Sequence, residues 1–255
     1  MQKINKISLV IPTFQQEKTI LSNLEQLRTA TKELPYQFEF IVVVDGFLDK
    51  TYQLLKNKKL KNVKVLGYEE NRGKGYAVRY GMLQATGDLI GFIDSGMDID
   101  PTSIAMLINH FLWYDADVII GSKLHPVSQV RYPVFRKILS IGYRNIIRLM
   151  FGLKIRDTQV GVKLFRREVA LDVFPRLLVK RFAFDIETLA VAYSRGFKRI
   201  YEAPVRLNFQ NASTITSGNL WKVIFQMLWD TFAVFYRLKV VHYYDKRPKT
   251  VFSRS

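Results

Sequence analysis

Short apolar runs and helix-length segments alternate along the first half of the chain, and this alternation constrains the fold more than any other feature. The runs are rich in β-branched and aromatic residues, as buried strands are. In chain order they read ISLVIP, FEFIVVVD, VKVLGY, LIGFID and ADVIIGS, with helix-length segments around 17–31, 50–58, 75–86 and 101–114. A βαβ series of this kind predicts an α/β fold with a doubly wound, mostly parallel sheet. The ligand crevice of such a sheet lies beyond the carboxyl ends of its strands.

The second half of the chain carries two segments with helical amphipathicity. Residues 131–151 place basic side chains on one stripe and apolar side chains on the other, and residues 219–239 form a more apolar helix. No Pro/Gly-rich linker or internal repeat separates these segments from the βαβ series. With 255 residues, of which 48% are apolar, the chain can bury one large core. We therefore expect a single domain over 1–255, with a C-terminal amphipathic helix and tail from about 216–255.

The charge balance is strongly positive, with 39 Lys and Arg residues against 22 Asp and Glu residues and a formal net charge of +17. A field of this sign suits phosphates, nucleic acid or an anionic membrane. The sequence contains no helix-turn-helix, RRM or zinc pattern, which disfavours a nucleic-acid-binding protein, the alternative from a different class. Cysteine is absent, so a disulfide framework and thiolate metal sites are excluded. No apolar run reaches the roughly 20 residues of a spanning helix, so any action on a membrane is expected at its surface.

Polar residues stand at the ends of the predicted strands, where the crevice should lie. Asp45 ends one run and Asp94 another, while Asn71 and Ser122 lie at the ends of two more. A carboxylate in this position can accept hydrogen bonds from a nucleotide base or a ribose hydroxyl, which is the role we expect for Asp45. Asp49, shortly after it, is interpreted as a cap of the next helix.

The segment IDSGMDID supplies the candidate metal ligands, Asp94 and Asp98. Gly96 occupies the position where a D-x-D pair would place its second carboxylate. Mg²⁺ and Mn²⁺ commonly take one or two protein carboxylates and complete their coordination shell with water and substrate phosphates, so two ligands can suffice. The alternative is that the acidic residues only cap the helix that we expect to begin near Pro101, a role that Asp100 alone would fill.

A glycine cluster with one lysine opens the segment NRGKGYAVRYGMLQATGD, residues 71–88. Backbone N–H groups at the mouth of a helix, together with the ammonium of Lys74, can contact a phosphate. The segment is neither a Walker A loop nor a complete G-x-G-x-x-G fingerprint. Read alone, it is equally typical of a tight turn in which Gly73 and Gly75 relieve strain.

Two later segments, RDTQVGVKLFRR at 156–167 and RFAFDIETL at 181–189, mix carboxylates, an amide and basic groups with aromatic residues. Sugar-binding pockets have such mixtures. Taken singly, Asp185 and Glu187 are more typical of surface residues in salt bridges than of catalytic residues. The three histidines match no metal-ligand spacing, and no G-x-S-x-G motif or nucleophilic triad is present.

Together these segments resemble glycosyltransferase family 2, which has the GT-A nucleotide-diphospho-sugar transferase fold, and within it the polyprenyl-phosphate branch. SLVIPTFQQEKTI resembles V-I-P-x-Y-N-E, VVVDGFLDKT resembles V-V-D-D-G-S-x-D-x-T, and NRGKGYAVRYGMLQATGD follows N-x-G-K-G-x-A-V-R-x-G-M-x-x-A-x-G-D. DTQVGVKLFRR and RFAFDIETL resemble the dolichyl-phosphate glucosyltransferases more than the mannose synthases, which favours glucose as the donor sugar. The chain departs from the family pattern at Gln16, Val44 and Gly96, and Lys123 replaces an expected arginine.

The resemblance implies an inverting, metal-dependent transfer of a hexose from a nucleotide sugar, with UDP-glucose favoured, to a polyprenyl (dolichyl or undecaprenyl) phosphate. The implied cofactor is Mg²⁺ or Mn²⁺ on Asp94 and Asp98. Guanidinium groups grip phosphate bidentately, which makes Arg131 and Arg136 candidates for the acceptor phosphate. The expected catalytic residues are Asp94, Asp185 and Arg131. Nucleotide contacts are expected for Pro12, Glu17, Asp45, Lys74 and Asp94. Contacts with the acceptor phosphate or the sugar are expected for Ser122, Lys123, Arg131, Arg136, Gln159 and Glu187.

The two amphipathic segments would then be interfacial helices that rest on an anionic membrane surface. The resemblance thus predicts a cytoplasmic protein held peripherally on the cytoplasmic face of a membrane, with no nucleic acid among its partners. An ordinary core helix with a contact between copies in a homo-oligomer is the alternative for 219–239. Two functional alternatives stay open: a mannosyltransferase that uses GDP-mannose, and a catalytically weak or silent relative that only binds the nucleotide sugar.

Overall fold

The computed structural model describes residues 3–128, 134–180, 183–208 and 220–246. The strands are β1 (Lys6–Thr13), β2 (Gln37–Asp45), β3 (Val63–Tyr68), β4 (Leu89–Ile93), β5 (Val118–Ser122), β6 (Val162–Arg166) and β7 (Ile200–Pro204). The helices are α1 (Ile20–Thr31), α2 (Thr51–Lys58), α3 (Lys74–Met82), α4 (Ser103–Trp113), α5 (Val134–Phe151), α6 (Arg167–Val173), α7 (Phe184–Ser194) and α8 (Leu220–Lys239). Short 3₁₀ turns follow α6 at Phe174–Arg176 and α8 at Tyr243–Asp245.

The described strands form a seven-stranded sheet in the order β3-β2-β1-β4-β6-β5-β7. Neighbouring strands pair in parallel except at β6, which runs antiparallel to both β4 and β5. The α/β class and the mostly parallel sheet predicted from the alternating segments are therefore confirmed. The reversal of β6 has a structural consequence, because an antiparallel strand begins at the edge where its parallel neighbours end.

Helices cover both faces of the sheet, and the strand sequences explain why. Alternate residues of β1 point to opposite sides: Leu9 and Ile11 pack in a core with α1, α2 and α4, whereas Val10 packs in a second core with α3, α6, α7 and α8. β4 and β5 are buried along their whole length. Strands that are covered on both faces read as continuous apolar runs, which is the pattern seen in the sequence.

The two amphipathic segments are helices, as predicted, with α5 over Val134–Phe151 and α8 over Leu220–Lys239. None of the helices in the described ranges is both long and apolar enough to span a membrane. Asp49, predicted to cap α2, accepts a hydrogen bond from the backbone N–H of Thr51 at 3.0 Å in the turn before the helix, because the N-cap position itself is Lys50. Asp100 instead accepts from Thr102 at 2.9 Å in a turn before α4, because that helix begins at Ser103 and not at Pro101.

The end of α8 is attached to the core by a buried tyrosine. Tyr244 is fully buried, and its hydroxyl donates a hydrogen bond of 2.6 Å to Glu187 of α7. The guanidinium of Arg176 donates to the carbonyl oxygen of Tyr244 at 2.8 Å and also contacts the carbonyl of Lys246. These contacts fix the turn after α8 against α7 and the 3₁₀ turn that follows α6. They therefore fix the position of α8 on the second core.

Replacing Tyr244 by phenylalanine should destabilise the fold without emptying the core. The ring would keep its packing, but the buried Glu187 would lose a hydrogen bond, at a cost of about 1–2 kcal/mol in the free energy of unfolding. Denaturant titration measures this change. The exposed neighbour Tyr243 provides the control, since Tyr243→Phe should alter the same free energy by less than about 0.5 kcal/mol. Equal effects of the two substitutions would contradict the assigned contact.

Candidate functional site

The predicted crevice lies at the edge of the sheet where β1, β2 and β4 end. Asp45 is the last residue of β2, and Asp94 follows directly after β4. Since β6 runs in the opposite direction, the residues before it reach the same edge, and the N–H of Asp94 donates to the carbonyl oxygen of Gly161 at 2.8 Å. The topology therefore joins three segments that the sequence presented separately: 71–75, 94–98 and 156–163.

Asp45 organises the loop that leads into α3. One of its carboxylate oxygens accepts from the N–H of Arg72 at 2.7 Å, and the other accepts from the N–H of Gly73 at 2.9 Å and from the side chain of Asn71 at 3.1 Å. Gly73 has φ 92°, a left-handed conformation that favours glycine. Asp45 thus fixes the position of Lys74, the first residue of α3. The predicted contact between Asp45 and a nucleotide stays a prediction.

Lys74 and Asp94 form an ion pair in the crevice. The ammonium nitrogen of Lys74 lies 2.7 Å from Oδ1 and 2.9 Å from Oδ2 of Asp94. Both side chains are partly exposed, at 38% and 40%. Burial alone would lower the pKa of Lys74, but the negative charges of Asp94 and Asp185 outweigh it and raise the pKa above its usual value. The crevice therefore holds a stable positive charge beside a carboxylate that an incoming ligand can reach.

Gly161 lies in close contact with the side chain of Asp94. An ideal Cβ built at Gly161 would lie 2.0 Å from Oδ2 of Asp94, so any side chain there would force the Asp94 carboxylate to move. Gly96 is in the opposite situation, because a Cβ at that position would meet only Oδ1 of Asp98, at 3.9 Å. The carboxylate missing at Gly96 thus leaves open space, and the Asp98 side chain lies beside it.

The donor set fits a hard divalent cation of the Mg²⁺ or Mn²⁺ type. Within the described part of the chain no cluster of three or more His, Asp or Glu side chains could hold a metal. Asp94 and Asp98 do provide carboxylate oxygens on one short loop, closed by a hydrogen bond of 3.4 Å from the N–H of Met97 to the carbonyl of Asp94. Two such ligands are within the usual range for these cations when substrate phosphates complete the shell.

A second ion pair, between Lys163 and Asp185, lies deeper in the protein. Lys163 is on β6, opposite Phe92 of β4, and its side chain is fully buried. Its ammonium contacts the Asp185 carboxylate and donates to the carbonyl oxygen of Val160 at 2.8 Å. Burial lowers the pKa of Lys163, although Asp185 acts in the opposite direction. Lys163 was not among the predicted site residues. The signal that could have identified it is a charged residue inside the apolar run VKLF.

Glu187 is also fully buried, but its contacts are structural. Its carboxylate accepts from the backbone N–H groups of Leu178 at 3.0 Å and Val179 at 2.8 Å, in addition to Tyr244. Burial raises the pKa of Glu187 above its usual value. The predicted sugar contact of Glu187 is not among these interactions and stays a prediction.

The residues predicted for the nucleotide side lie around the ends of β1 and β2. Pro12 is buried within β1 and pairs with Val43. Glu17 is exposed after β1, and its carboxylate accepts from the N–H of Lys50 at 3.0 Å. This contact connects the loops that follow β1 and β2, so both loops border the crevice together.

The residues predicted for the acceptor side lie at the end of β5 and before β6. The hydroxyl of Ser122 is buried and makes no hydrogen bond within the described residues. The N–H of Lys123 donates to Asp157 at 3.1 Å, and burial raises the pKa of Asp157.

Gln159, in the segment before β6, is exposed, and its side-chain amide lies 3.1 Å from the sulfur of Met227 in α8. Two further predicted residues, Arg131 and the side chain of Arg136, lie outside the described residues.

Comparison with known proteins agrees with this geometry. Residues 8–174 match the family Glycosyl transferase family 2. A dolichyl-phosphate beta-glucosyltransferase of Drosophila melanogaster is 34% identical over 92% of this chain and 76% of its own length. The human dolichyl-phosphate beta-glucosyltransferase is 30% identical over 80% of this chain and 67% of its own length.

Solved structures with the same fold are more distant in sequence. Glucosyl-3-phosphoglycerate synthase from Mycobacterium tuberculosis, in complex with Mn²⁺, UDP-glucose and phosphoglyceric acid, superposes with a TM-score of 0.65 at 17% identity. The match covers 91% of this chain and 79% of that one. This likeness concerns the fold, whereas the sequence matches extend over most of the chain. The chain therefore belongs to glycosyl transferase family 2 and is a glycosyltransferase with the GT-A fold.

Proposed function

We propose that this protein transfers glucose from UDP-glucose to a polyprenyl phosphate of the dolichyl type, with inversion at the anomeric carbon, at a membrane surface. The observation that carries the proposal is the convergence of Lys74, Asp94 and the 156–163 segment at one edge of the sheet. Relatives that match most of the chain are named dolichyl-phosphate beta-glucosyltransferases, which supports the choice of sugar and acceptor.

The reaction needs charge stabilisation more than it needs a catalytic base. A polyprenyl monophosphate is already ionised near neutral pH, so one of its oxygens can attack the anomeric carbon directly. The new bond joins that oxygen to the sugar, the bond between the sugar and the UDP oxygen breaks, and an α-linked donor gives a β-linked product. Negative charge develops on the departing diphosphate, where the ammonium of Lys74 can stabilise it.

A divalent cation, Mg²⁺ or Mn²⁺, completes the proposed site. Asp94 and Asp98 would hold it, and when bound it would supply Lewis-acid charge to the leaving diphosphate. Both oxygens of Asp94 now contact Lys74. A cation on Asp94 would therefore compete with Lys74, whose ammonium could then contact a phosphate.

The acceptor would approach from the side of β5, α5 and α8. Ser122 offers a buried hydroxyl that is unpaired within the described ranges, and Lys123 follows it with a positive charge. The hydroxyls of Tyr143 in α5 and Thr231 in α8 lie 2.9 Å apart, so these two helices meet next to this side of the crevice. Arg131, which precedes α5 in the sequence, and Arg136 of α5 would add guanidinium groups for the acceptor phosphate.

An exposed aromatic row on α8 supports action at a membrane surface. The row follows helical spacing, and its side chains are 55–70% exposed: Phe225, Trp229, Phe232 and Tyr236. On α5, Leu149 is 88% exposed and stands next to Arg148 in the sequence. A contiguous apolar patch of this kind marks an interaction surface, and aromatic rings favour the boundary between lipid and water. The net charge of +17 suits anionic headgroups.

Asp94→Asn should abolish transfer while leaving the fold intact. The substitution keeps the shape of a partly exposed side chain but removes the charge that pairs with Lys74 and would bind the cation. We expect turnover to fall by at least about 10²-fold. The assay incubates the protein with Mg²⁺ or Mn²⁺, dolichyl phosphate and either UDP-glucose or GDP-mannose, and identifies the glycolipid by mass.

Glu25→Gln, a change on the surface of α1, is the control. Wild-type turnover in Asp94→Asn would contradict the proposal, and mannolipid alone would contradict the donor assignment.

Gly161→Ala tests the close packing around Asp94. The added methyl group would displace the carboxylate, so we expect turnover to fall by about 10²-fold or more, since small displacements of catalytic groups have effects of this size. Gly142→Ala is the matched control, because a Cβ at Gly142 has no neighbour within 4 Å. Its turnover should stay at the wild-type level. Steady-state kinetics and thermal melts of both variants separate lost activity from lost folding.

The role of the aromatic row in membrane binding can be tested by substituting an exposed tryptophan within the row and, as a control, an exposed tryptophan on another helix. We expect Phe225→Ser/Trp229→Ser to weaken binding to anionic vesicles by about tenfold, because it removes the apolar side chains that would enter the interface. Trp113→Ser on α4 removes an 84% exposed tryptophan and should leave vesicle binding unchanged. Flotation of protein with vesicles measures both effects. Unchanged vesicle binding together with loss of self-association in light scattering would favour the contact between copies instead.

A further inference from the structure

Lys163 is the most unusual buried residue of the described chain. It lies in β6, between β4 and β5, and its side chain has 0% exposure. Removing an ammonium from water costs several kcal/mol, which an ion pair only partly offsets. An apolar side chain of similar length would fill the same space without that cost. Packing alone therefore does not explain why a charged residue occupies position 163.

The partner of Lys163 lies close to the crevice. Asp185 is in the first turn of α7, and its side chain is only 9% exposed. Its Oδ1 contacts Lys163, while Oδ2 accepts no hydrogen bond from any residue in the described ranges. The negative charge of Asp185 also acts on the ammonium of Lys74. Asp185 thus contacts one ammonium group, that of Lys163, and interacts electrostatically with a second, that of Lys74 in the crevice.

The two lysines share a third neighbour, the ring of Phe92. The ammonium of Lys74 lies 5.9 Å from the ring centroid and that of Lys163 lies 5.2 Å from it. Two cations near one ring repel each other, and the negative charge of Asp185 offsets this repulsion together with that of Asp94. If the charge of Lys163 were removed, the buried Asp185 carboxylate would be left unpaired. One cation that already interacts electrostatically with Asp185 would remain, that of Lys74, which now contacts Asp94.

We infer that Lys163 is a positioning residue that holds the Asp185 carboxylate away from Lys74, so that Lys74 stays available to Asp94 and to the phosphates of the donor. The inference rests on the proposed function, because it assigns the ammonium of Lys74 to the leaving diphosphate. Lys163 itself reaches no substrate, since its side chain is fully buried. It acts through Asp185, and its contribution depends on the negative charge of that residue.

The test is a double-mutant cycle on Lys163 and Asp185. In Lys163→Met the freed carboxylate should capture Lys74, and we expect kcat for glucosyl transfer to fall by about 10²-fold, with a change in KM for UDP-glucose below about threefold. Asp185→Asn alone should cost about tenfold. In the double variant no carboxylate competes for Lys74, so kcat should return to the level of Asp185→Asn. Thermal melts accompany the kinetics, because a structural role predicts that kcat falls in parallel with the loss of folded protein, whereas the positioning role predicts a low kcat in folded Lys163→Met.

Each outcome decides the matter. Full turnover in Lys163→Met, or a double variant slower than both single variants, would overturn the inference. If Lys163→Met does not fold, the comparison moves to Asp185→Asn and the double variant, which replaces a buried ion pair by neutral groups and is expected to fold. Equal kcat in these two supports the inference, and a kcat more than about tenfold lower in the double variant overturns it. A wild-type protein without transferase activity would refute the proposed function, and this inference with it.

Discussion

The antiparallel strand β6, inserted between β4 and β5, is the constraint on which the rest of the crevice depends. Parallel strands end at the carboxyl edge of the sheet, whereas β6 begins there, so the chain before it crosses the ends of its neighbours. This crossing places Gly161 against Asp94 and sets Lys163 opposite Phe92, inside the sheet. A parallel β6 would carry both Gly161 and Lys163 to the opposite edge. The direction of one short strand therefore determines which charged groups meet.

Two ion pairs at different depths result from this arrangement, and their exposure gives them different properties. The outer pair, Lys74 with Asp94, is partly exposed, so a ligand can reach it and change its contacts. The inner pair, Lys163 with Asp185, is shielded from water, and neither partner can leave without stranding the other as a buried charge. A buried inner pair below a partly exposed outer pair suits the proposed reaction, in which negative charge develops on a leaving diphosphate, because only the outer groups would have to change their contacts.

The parallel strands and the residues at their ends can be predicted from the sequence, because each leaves a local pattern. An apolar run stops at a polar residue, and Asp45 and Asp94 lie where that pattern puts them. The direction of β6 leaves no such pattern, since it depends on long-range pairing with β4 and β5. The ion pair that buries Lys163 also depends on a long-range contact, since its partner Asp185 comes 22 residues later in the chain. No local pattern predicts this pair. The hydrogen bonds that occupy Asp45 likewise depend on a loop more than 25 residues away.

Buried contacts connect the helix with the exposed aromatic row to the crevice. Tyr244, just after α8, donates to Glu187, and the same carboxylate accepts from the backbone N–H groups of 178–179. In the next residue, the carbonyl oxygen of Lys180 accepts from the N–H of Gly75 at 2.8 Å, in the first turn of α3. The orientation of α8 and the start of α3 are therefore set by one connected structure. The proposed reaction uses a lipid phosphate at the depth of the headgroups, so it would require a fixed distance between the aromatic row and the reactive groups, which this chain of contacts would provide.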